Sequence, residues 1–435
     1  MSSVHAQRRA RLLDRIGEGV VVVECGREPR NPTGHDVVYH PRPSFHYLTG
    51  FSERDAVLVM SRGADGETRS TLFVLPRDAK AEMWTGRRLG AEAARDLVGV
   101  DEAHEPTALD EKLPDLLKGH AHLHCELFED TPLRAKLLGW CNRRLGAKTL
   151  ADIVPQTLHN LAWTLAQMRL YKDEAEIEAI RAAVAVTEPA YRQVMAECRA
   201  GLTEGDLQAI LDGGFLRDGG QGPAYGTIVA SGDNANILHY VNNDQPLCDG
   251  DLVLIDAAAQ ARHYACDVTR TFPVNGRFSP VQRDVYEIVL ESMQAGFALA
   301  VPGGSMDAIH AATMARLTDG LIELGVLDGS LDELIEQKAA GPFCPYSICH
   351  PIGLNVHDPG PRLDDAGQEL LLQPGAVFTV EPGLYFPADN EGLPEHLRGL
   401  GLRIEDDLLI TAHGHENLTA GIAKEPDEVE RWCEG

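Results

Sequence analysis

The sequence predicts two domains, an α/β N-terminal domain followed by an α+β domain rich in strands, and three observations support this. In the first third of the 435-residue chain, short apolar runs alternate with amphipathic segments. Near residue 170 a helix-start signal introduces a longer helical pattern. From residue 225 onward, apolar runs are joined by loops that carry His, Asp and Glu. We therefore place the domains at residues 1–170 and 171–435.

The elements of the first domain follow from its apolar pattern. The strands are predicted at 19–24, 55–61 and 71–76, and the helices at 91–98, 109–117 and 132–145. The segment contains neither a G-x-G-x-x-G sequence nor a Walker loop, so it offers no nucleotide site. Because it also lacks a candidate catalytic cluster, we expect it to cover the active site of the second domain or to build an oligomer.

The second domain begins with a long helix. Asp173 and Glu176 have the spacing of a capping box, and the apolar positions that start at Ile177 continue one helix face to about Cys198. At the other end, the segment after His413 is polar and acidic, and we expect it to be solvated.

Composition excludes several classes of function. The 39 Lys and Arg residues face 66 Asp and Glu residues, which gives a formal charge of −27. Such a chain repels phosphate backbones and anionic lipid surfaces, so we expect no binding to nucleic acid or membranes. No apolar run has the length of a membrane span, and the N-terminal segment has no apolar core of a signal peptide. The nine cysteines are scattered without a C-x-x-C pair, which predicts reduced thiols in a cytoplasmic protein.

Two aspartates lie on predicted strands joined by a loop. Asp256 ends the apolar run 251–256, and Asp267 begins the strand 266–272, where Thr269 and Thr271 share its face. A carboxylate that ends a buried run needs a cation. That cation is either a metal ion or a basic side chain, for which Arg262 and Arg270 are the nearest candidates in sequence.

Three further features carry titratable groups. His350 and His357 flank an apolar, strand-like segment, and Glu381 ends the apolar run 376–380, immediately before a turn at Pro382 and Gly383. The segment 402–410 is predicted to be one strand, whose alternation places Arg403 beside Glu405. Each feature alone also has a structural explanation, as a salt bridge, a core histidine or a strand-end turn.

Taken together, these features favour metal. Four carboxylates and one imidazole are too many buried groups for the few basic neighbours, and an oxygen-rich set with one imidazole suits Mn, Co or Fe. Five ligands exceed the needs of one tetrahedral ion, so carboxylates would bridge two ions about 3.5–4 Å apart.

These residues and the phrases around them resemble those of a known family. The sequence resembles the pita-bread metallopeptidases in two respects. One is the set of Asp256, Asp267, His350, Glu381 and Glu405. The other is the phrases Asp267-Val-Thr-Arg-Thr-Phe, Asn355-Val-His357-Asp358, Val-Glu381-Pro-Gly and Arg403-Ile-Glu405-Asp. Among these, the chain is most similar to the aminopeptidase P family. Tyr47-Leu-Thr-Gly-Phe51 and the phrase at 82–90 extend the similarity to the N-terminal domain. The resemblance implies a pita-bread (creatinase/aminopeptidase-like) catalytic domain.

The resemblance also implies a mechanism. Asp256 would chelate one ion, Asp267 and Glu405 would bridge both, and His350 and Glu381 would hold the other, with a hydroxide between them as nucleophile. The metals would be two divalent ions, most often Mn²⁺, with Co²⁺ or Zn²⁺ as alternatives. The substrates would be peptides with proline in the second position, and the protein would be a homodimer or homotetramer.

The same resemblance assigns roles to residues outside the ligand set. Glu381 would carry a proton to the leaving proline nitrogen. His239 and His357 would contact the peptide carbonyl or the leaving group, and Arg403 and Tyr385 would orient their neighbours. Tyr346 departs from the family pattern, which has a histidine four residues before the ligand His350. Its hydroxyl either binds substrate or fills space.

Three other functions remain open from the sequence. A prolidase, which cleaves Xaa-Pro dipeptides, has the same ligands and a related fold. A methionine aminopeptidase generally lacks so large an N-terminal domain. A binding module with the pita-bread fold would be expected to lack metal ligands, whereas all five are present here.

Overall fold

The computed structural model describes residues 3–26, 38–128, 131–145, 153–364 and 366–435. The chain divides into two compact units, Met1–Met168 and Arg169–Gly435. Within the described residues, no helix has both the length and the apolar composition needed to cross a membrane.

The first unit is built on a six-stranded mixed sheet with strand order β4-β3-β2-β1-β5-β6. The strands are β1 Gly19–Glu24, β2 Val57–Arg62, β3 Thr68–Phe73, β4 Glu102–His104, β5 His122–Cys125 and β6 Thr157–Asn160. The helices are α1 Val4–Ile16, α2 Pro43–Thr49, α3 Ala79–Thr85, α4 Gly90–Val98, α5 Leu109–Leu117, α6 Pro132–Leu145 and α7 Leu161–Leu170.

The apolar pattern predicted this unit closely. The strand at 19–24 and the helices at 109–117 and 132–145 are confirmed at both ends, and the other three elements are displaced by one to three residues. The central strand β1 is a continuous valine run because the sheet buries it on both faces. One face packs on α5 and α6 through Leu113, Leu117 and Leu137.

The second unit combines several small antiparallel sheets with long helices. Its helices are α8 Glu174–Glu197, α9 Glu204–Arg217, α10 Pro280–Phe297, α11 Met306–Glu323, α12 Leu331–Glu336 and α13 Pro426–Glu434. Its strands are β7 Ile228–Ser231, β8 Leu252–Asp256, β9 Gln260–Ala261, β10 Tyr264–Ala265, β11 Thr269–Pro273, β12 Val377–Val380, β13 Gly383–Phe386, β14 Leu400–Arg403, β15 Asp406–Ile410 and β16 His415–Asn417.

Two of these sheets and one hairpin provide the strand ends on which acidic residues lie. The order β11-β8-β7 forms one three-stranded sheet, β12-β15-β16 forms another, and β13 pairs with β14. The long helix α8 begins at the expected capping box, in which Asp173 and Glu176 each accept the other's backbone N–H. Its apolar face, with α9 and α13, covers β8 and β11 in one core.

The predicted single strand at 402–410 is wrong. The chain forms two strands, β14 and β15, which belong to different sheets and are separated by Ile404 and Glu405. Asp267 also lies before β11 rather than within it, and Gly383 opens β13 instead of completing a turn. At 402–410 the local alternation of residues is real, but the first strand ends where the chain passes to a second sheet.

The prediction of a solvated C-terminal segment is also wrong. Helix α13 buries Val429 and Trp432 in the core beneath β11. Nearby, the fully buried guanidinium of Arg270 pairs with Asp406 at 2.7 Å and donates to the carbonyls of Ile422 and Ala423 at 2.9 Å. The segment is therefore part of the fold, since its carbonyls of Ile422 and Ala423 solvate a buried cation that Asp406 of β15 neutralises.

Candidate metal centre

Asp256 and Asp267 are brought together by the pairing of β8 with β11. Asp256 ends β8 and lies opposite Thr269, the first residue of β11. Asp267 precedes that residue by two positions, and its backbone N–H donates to Asp407 Oδ2 at 2.9 Å. The register therefore places both aspartates at the same edge of this sheet.

His350 and Glu381 are held by a short backbone pairing beside β12. Thr379 N–H donates to the carbonyl of His350, and Glu381 N–H donates to that of Ile348, both at 2.9 Å. As a result His350 Nε2 lies 3.3 Å from Glu381 Oε1 and 3.6 Å from Asp267 Oδ2. The segment after His350 is a series of bends and not the expected strand.

Glu405 reaches the same place from between β14 and β15. Its backbone N–H donates to the carbonyl of Thr269 at 3.1 Å, and the Thr269 hydroxyl donates to Glu405 Oε2 at 2.7 Å. Asp267, His350 and Glu405 each offer one ligand atom within 4.8 Å of the others. Three of the five predicted ligands thus form a compact set, with Glu381 next to His350 and Asp256 across the sheet edge.

The basic partner of Asp256 is Arg403, and neither Arg262 nor Arg270. Arg403 Nη2 donates to Asp256 Oδ2 at 2.6 Å, and its Nε donates to the Thr269 hydroxyl at 3.0 Å. Arg403 is therefore linked to Glu405 through Thr269. One guanidinium does not neutralise the four carboxylates of this group.

The remaining negative charge raises the affinity of the carboxylates for protons. Burial, followed by repulsion from Asp256, raises the pKa of Asp267 well above its usual value, and burial with repulsion from Asp267 does the same for Glu405. Burial opposes the charged form of His350, yet the hydrogen bond and charge of Glu381 and the charge of Asp267 raise its pKa to about 9.

The residues present fit divalent cations. One buried oxygen each of Asp256 and Asp267, Oδ1 in both cases, meets no hydrogen-bond donor among the described residues. Buried carboxylate oxygens without donors are costly unless a cation faces them. The donor set, mainly oxygen with one imidazole, is of the kind that Mn²⁺ and related ions prefer.

The other two predicted histidines lie beside this group. The rings of His350 and His357 meet edge to face with centroids 4.4 Å apart. Desolvation, and then positive charge on His350, lowers the pKa of His357, to which His239 also contributes. His239 is exposed on the segment that follows a short 3₁₀ helix, Gly232–Asn236.

Tyr346 and Tyr385 form a hydrogen-bonded relay with Arg403. Arg403 Nη1 donates to the Tyr385 hydroxyl at 2.7 Å, and the two tyrosine hydroxyls lie 2.9 Å apart. The Tyr346 hydroxyl donates to the backbone carbonyl of Glu381 at 3.1 Å. Tyr346 is therefore tied to the segment that carries a predicted ligand.

A buried ion pair fixes the loop that carries His357. Asp358 pairs with Arg169 and, at 3.4 Å, with Lys172, and the side chains of all three are almost fully buried. Arg169 also donates to Asn355 Oδ1 at 2.7 Å. The loop between Asn355 and Asp358 is thus attached at both ends.

Sequence reasoning missed several supporting residues. Thr269 was recognised as sharing the face of Asp267 but was given no role. Asp407, which accepts from the backbone of Asp267, could have been noticed because it is an acid inside an apolar strand. Nothing in the sequence around Tyr225 indicated that it would lie near the acidic residues. Burial, followed by the charges of Asp256 and Asp267, raises the pKa of its hydroxyl.

Two family models match the chain. Residues 178–412 match the model described as metallopeptidase family M24, which covers more than half of the sequence. Residues 5–124 match the model described as aminopeptidase P, N-terminal domain.

Curated relatives match over nearly the full length. The Xaa-Pro aminopeptidase of Escherichia coli K12 is 40% identical over 433 residues, which cover 98% of this chain and 96% of the relative. Human Xaa-Pro aminopeptidase 3 is 34% identical, with 93% and 79% covered.

Solved structures agree with this comparison. A substrate complex of an Escherichia coli aminopeptidase P variant and the Pseudomonas aeruginosa aminopeptidase PepP each superpose with a TM-score of 0.94 at 38% identity. Both comparisons cover 99% of this chain and 97% of the other. The chain therefore belongs to metallopeptidase family M24, in which it has the two-domain architecture of aminopeptidase P.

Proposed function

We propose that this chain is a metal-dependent Xaa-Pro aminopeptidase, which releases the N-terminal residue from peptides that have proline in the second position. The observation that carries the proposal is the convergence of Asp267, His350 and Glu405 at one point of a fold that matches Xaa-Pro aminopeptidases over almost its whole length. Peptides are accordingly the substrates.

Two divalent ions complete the proposed site. Asp256, Asp267, His350, Glu381 and Glu405 hold them, and Mn²⁺ is the proposed native metal, with Co²⁺ or Zn²⁺ as alternatives. A zinc-substituted form of the Escherichia coli enzyme is among the matching structures. When bound, the ions supply Lewis acidity and activate water near neutral pH.

The protein's own groups then have distinct tasks. The Glu381 carboxylate carries a proton to the proline nitrogen as the peptide bond breaks. His239 and His357 donate to the oxygen of the scissile carbonyl, where loss of one donor costs on the order of 10²–10³ in rate. Arg403 orients Asp256 through its Nη2, and Tyr385 holds the same guanidinium through Nη1.

A substrate panel tests the activity. In the presence of Mn²⁺, the enzyme should cleave Xaa-Pro-Xaa tripeptides and longer peptides, and leave Met-Ala peptides intact. Turnover of Xaa-Pro dipeptides alone would instead identify a prolidase. No turnover of any peptide with Mn²⁺, Co²⁺ or Zn²⁺ would contradict the proposed function.

The domain roles, assembly and location complete the proposal. Residues 1–170 form an aminopeptidase P N-terminal-like domain that supplies no metal ligand, and residues 171–435 form the catalytic domain. The enzyme is a homodimer or homotetramer, which sedimentation at micromolar concentration measures directly. A cytoplasmic location is supported by the nine cysteines, all of which are unpaired.

A further inference from the structure

Glu204 is a buried carboxylate that no sequence motif indicated. It is the first residue of α9, is fully inaccessible to solvent and has no Lys, Arg or His within ion-pair distance among the described residues. A charge buried in this way needs hydrogen-bond donors. All the groups that donate hydrogen bonds to its carboxylate lie in one segment, residues 231–245, which carries His239 and is called the 231–245 loop.

The two carboxylate oxygens hold different parts of this loop. Oε1 accepts from the backbone N–H and hydroxyl of Ser231, both at 2.8 Å, and from Asn234 Nδ2 at 3.0 Å. Oε2 accepts from the Tyr240 hydroxyl at 2.9 Å and from Gln245 N–H at 3.0 Å. The backbone N–H of Glu204 donates in turn to the carbonyl of Gln245 at 2.9 Å.

His239 lies between these points of attachment. The start of the loop is fixed at Ser231, the residue after His239 is fixed at Tyr240, and the end is fixed at Gln245. Apart from Ser231, which ends β7, and the 3₁₀ helix Gly232–Asn236, the loop contains no regular strand or helix that would define its path otherwise. The backbone position of His239 therefore depends on this carboxylate together with Asn243, whose amide donates to the carbonyl of Thr227 at 2.8 Å and accepts from the Val229 N–H at 3.0 Å.

We infer that Glu204 is a positioning residue, which fixes the 231–245 loop so that the His239 imidazole meets the scissile carbonyl. This inference rests on the proposed function. A misplacement of about 1 Å in a group that acts on the reacting atoms can cost on the order of 10²-fold in rate. The effect of Glu204 on turnover should thus pass through His239, while the metal site remains intact.

A double-mutant cycle tests this. Glu204→Gln keeps the shape but replaces one acceptor oxygen with an amide that faces the same donors. In the wild-type background it should lower kcat/KM about 10- to 100-fold, mainly through kcat, with unchanged metal content. In the His239→Ala background the same change should cost less than about twofold, because the group that it positions is already absent.

Two further variants keep the test decisive. Tyr240→Phe removes a single donor and should show a smaller loss, of roughly threefold, that also disappears in the His239→Ala background. It replaces Glu204→Gln if that variant does not fold. Glu430→Gln is the matched control, since Glu430 is a buried glutamate that also accepts a backbone N–H, from Phe278 at 3.0 Å. It should change the melting temperature but not kcat/KM.

The outcomes separate the two proposals. Losses of equal size in both backgrounds, or no loss in the wild-type background, would overturn the positioning role of Glu204. Failure of the wild-type enzyme to cleave any Xaa-Pro peptide would overturn the proposed function itself.

Discussion

Tyr346 contacts the segment that carries Glu381, although it is not one of the proposed metal ligands. Its hydroxyl has two partners in the protein, the Glu381 carbonyl and the Tyr385 hydroxyl, and Tyr385 is itself held by Arg403. The phenol is thus built into the relay that fixes the backbone of Glu381. This arrangement favours a positioning role over pure space filling.

Tyr346→Phe should therefore lower kcat about tenfold and leave the metal content unchanged, because the change releases the Glu381 carbonyl but removes no ligand. Steady-state kinetics with a tripeptide, together with metal analysis, measure both quantities. Tyr171→Phe is the matched control, since its hydroxyl also donates to a backbone carbonyl, that of Leu371, at 3.3 Å. A Tyr346→Phe enzyme with unchanged kcat would leave only a packing role.

The acidic positions of the proposed metal centre could be read from the sequence, whereas their hydrogen-bond and ion-pair partners could not. Acids at the ends of apolar runs are visible locally, because an unpaired buried carboxylate is costly. The partner of Asp256 lies 147 residues away in Arg403, while the sequence offered the nearby Arg262 and Arg270. A salt bridge between distant strands depends on the topology, which no local pattern encodes.

At the scale of elements, the chain from Leu400 to Ile410 shows where local patterns fail. Its alternation of apolar residues is typical of one strand, but the chain changes sheets at Ile404 and Glu405. That change turns Glu405 toward Thr269 and leaves Arg403 on the hairpin with β13.

The paired strands β5 and β6 carry a histidine cluster with a consequence for acid stability. The ring of His124 stacks on that of His159 with centroids 4.6 Å apart, and His122 Nδ1 lies 3.2 Å from His159 Nε2. Burial, followed by the charges of His159 and His122, lowers the pKa of His124 to about 4. The unfolded chain would bind this proton near pH 6.5.

The protein should therefore lose stability as the pH falls from about 6.5 to 4, because in this range the unfolded state binds the proton and the native state does not. His124 would contribute up to about 3 kcal/mol to this loss. In urea unfolding measured across the range, His124→Gln should flatten the profile. Parallel profiles for wild type and His124→Gln would contradict the assignment.

At the scale of the whole molecule, the acidic composition of the chain is consistent with the proposed binding of metal cations. The chain carries a formal charge of −27, and its most crowded buried acids lie where the ions would bind. Ions that bind only the native state stabilise it, by about 2.7 kcal/mol at a hundredfold excess over Kd. Metal removal should therefore weaken the fold as well as abolish turnover.

Adding Mn²⁺ to chelator-treated protein should raise the melting temperature by about 5 °C or more and restore activity, with two ions bound per chain. Calorimetry and metal analysis measure these effects. Glu405→Gln should lose most of both responses, because a neutral amide would hold the proposed ions far less well than a carboxylate. An active preparation without bound metal would contradict the two-ion centre.

The fold as a whole was predictable where the buried residues follow the regular apolar spacing of a helix or a strand. The two-domain character, three of the six strands of the first sheet and the long helix α8 follow from apolar periodicity and caps. The packing of α13 could not be predicted in this way. This nine-residue helix is mostly polar, and its position depends on the burial of Trp432 in the core of the second unit.

The burial of Arg270 sets an order of events during synthesis. Its acceptors in Ile422 and Ala423 are added 152 and 153 residues later, and Asp406 follows after 136. At about 5–20 residues per second, the ribosome needs roughly 8–30 s to supply them. During that interval, burial of β11 would leave the Arg270 guanidinium without these partners, which is costly for a charged group. The core around β11 is thus completed only after Ala423 has been synthesised.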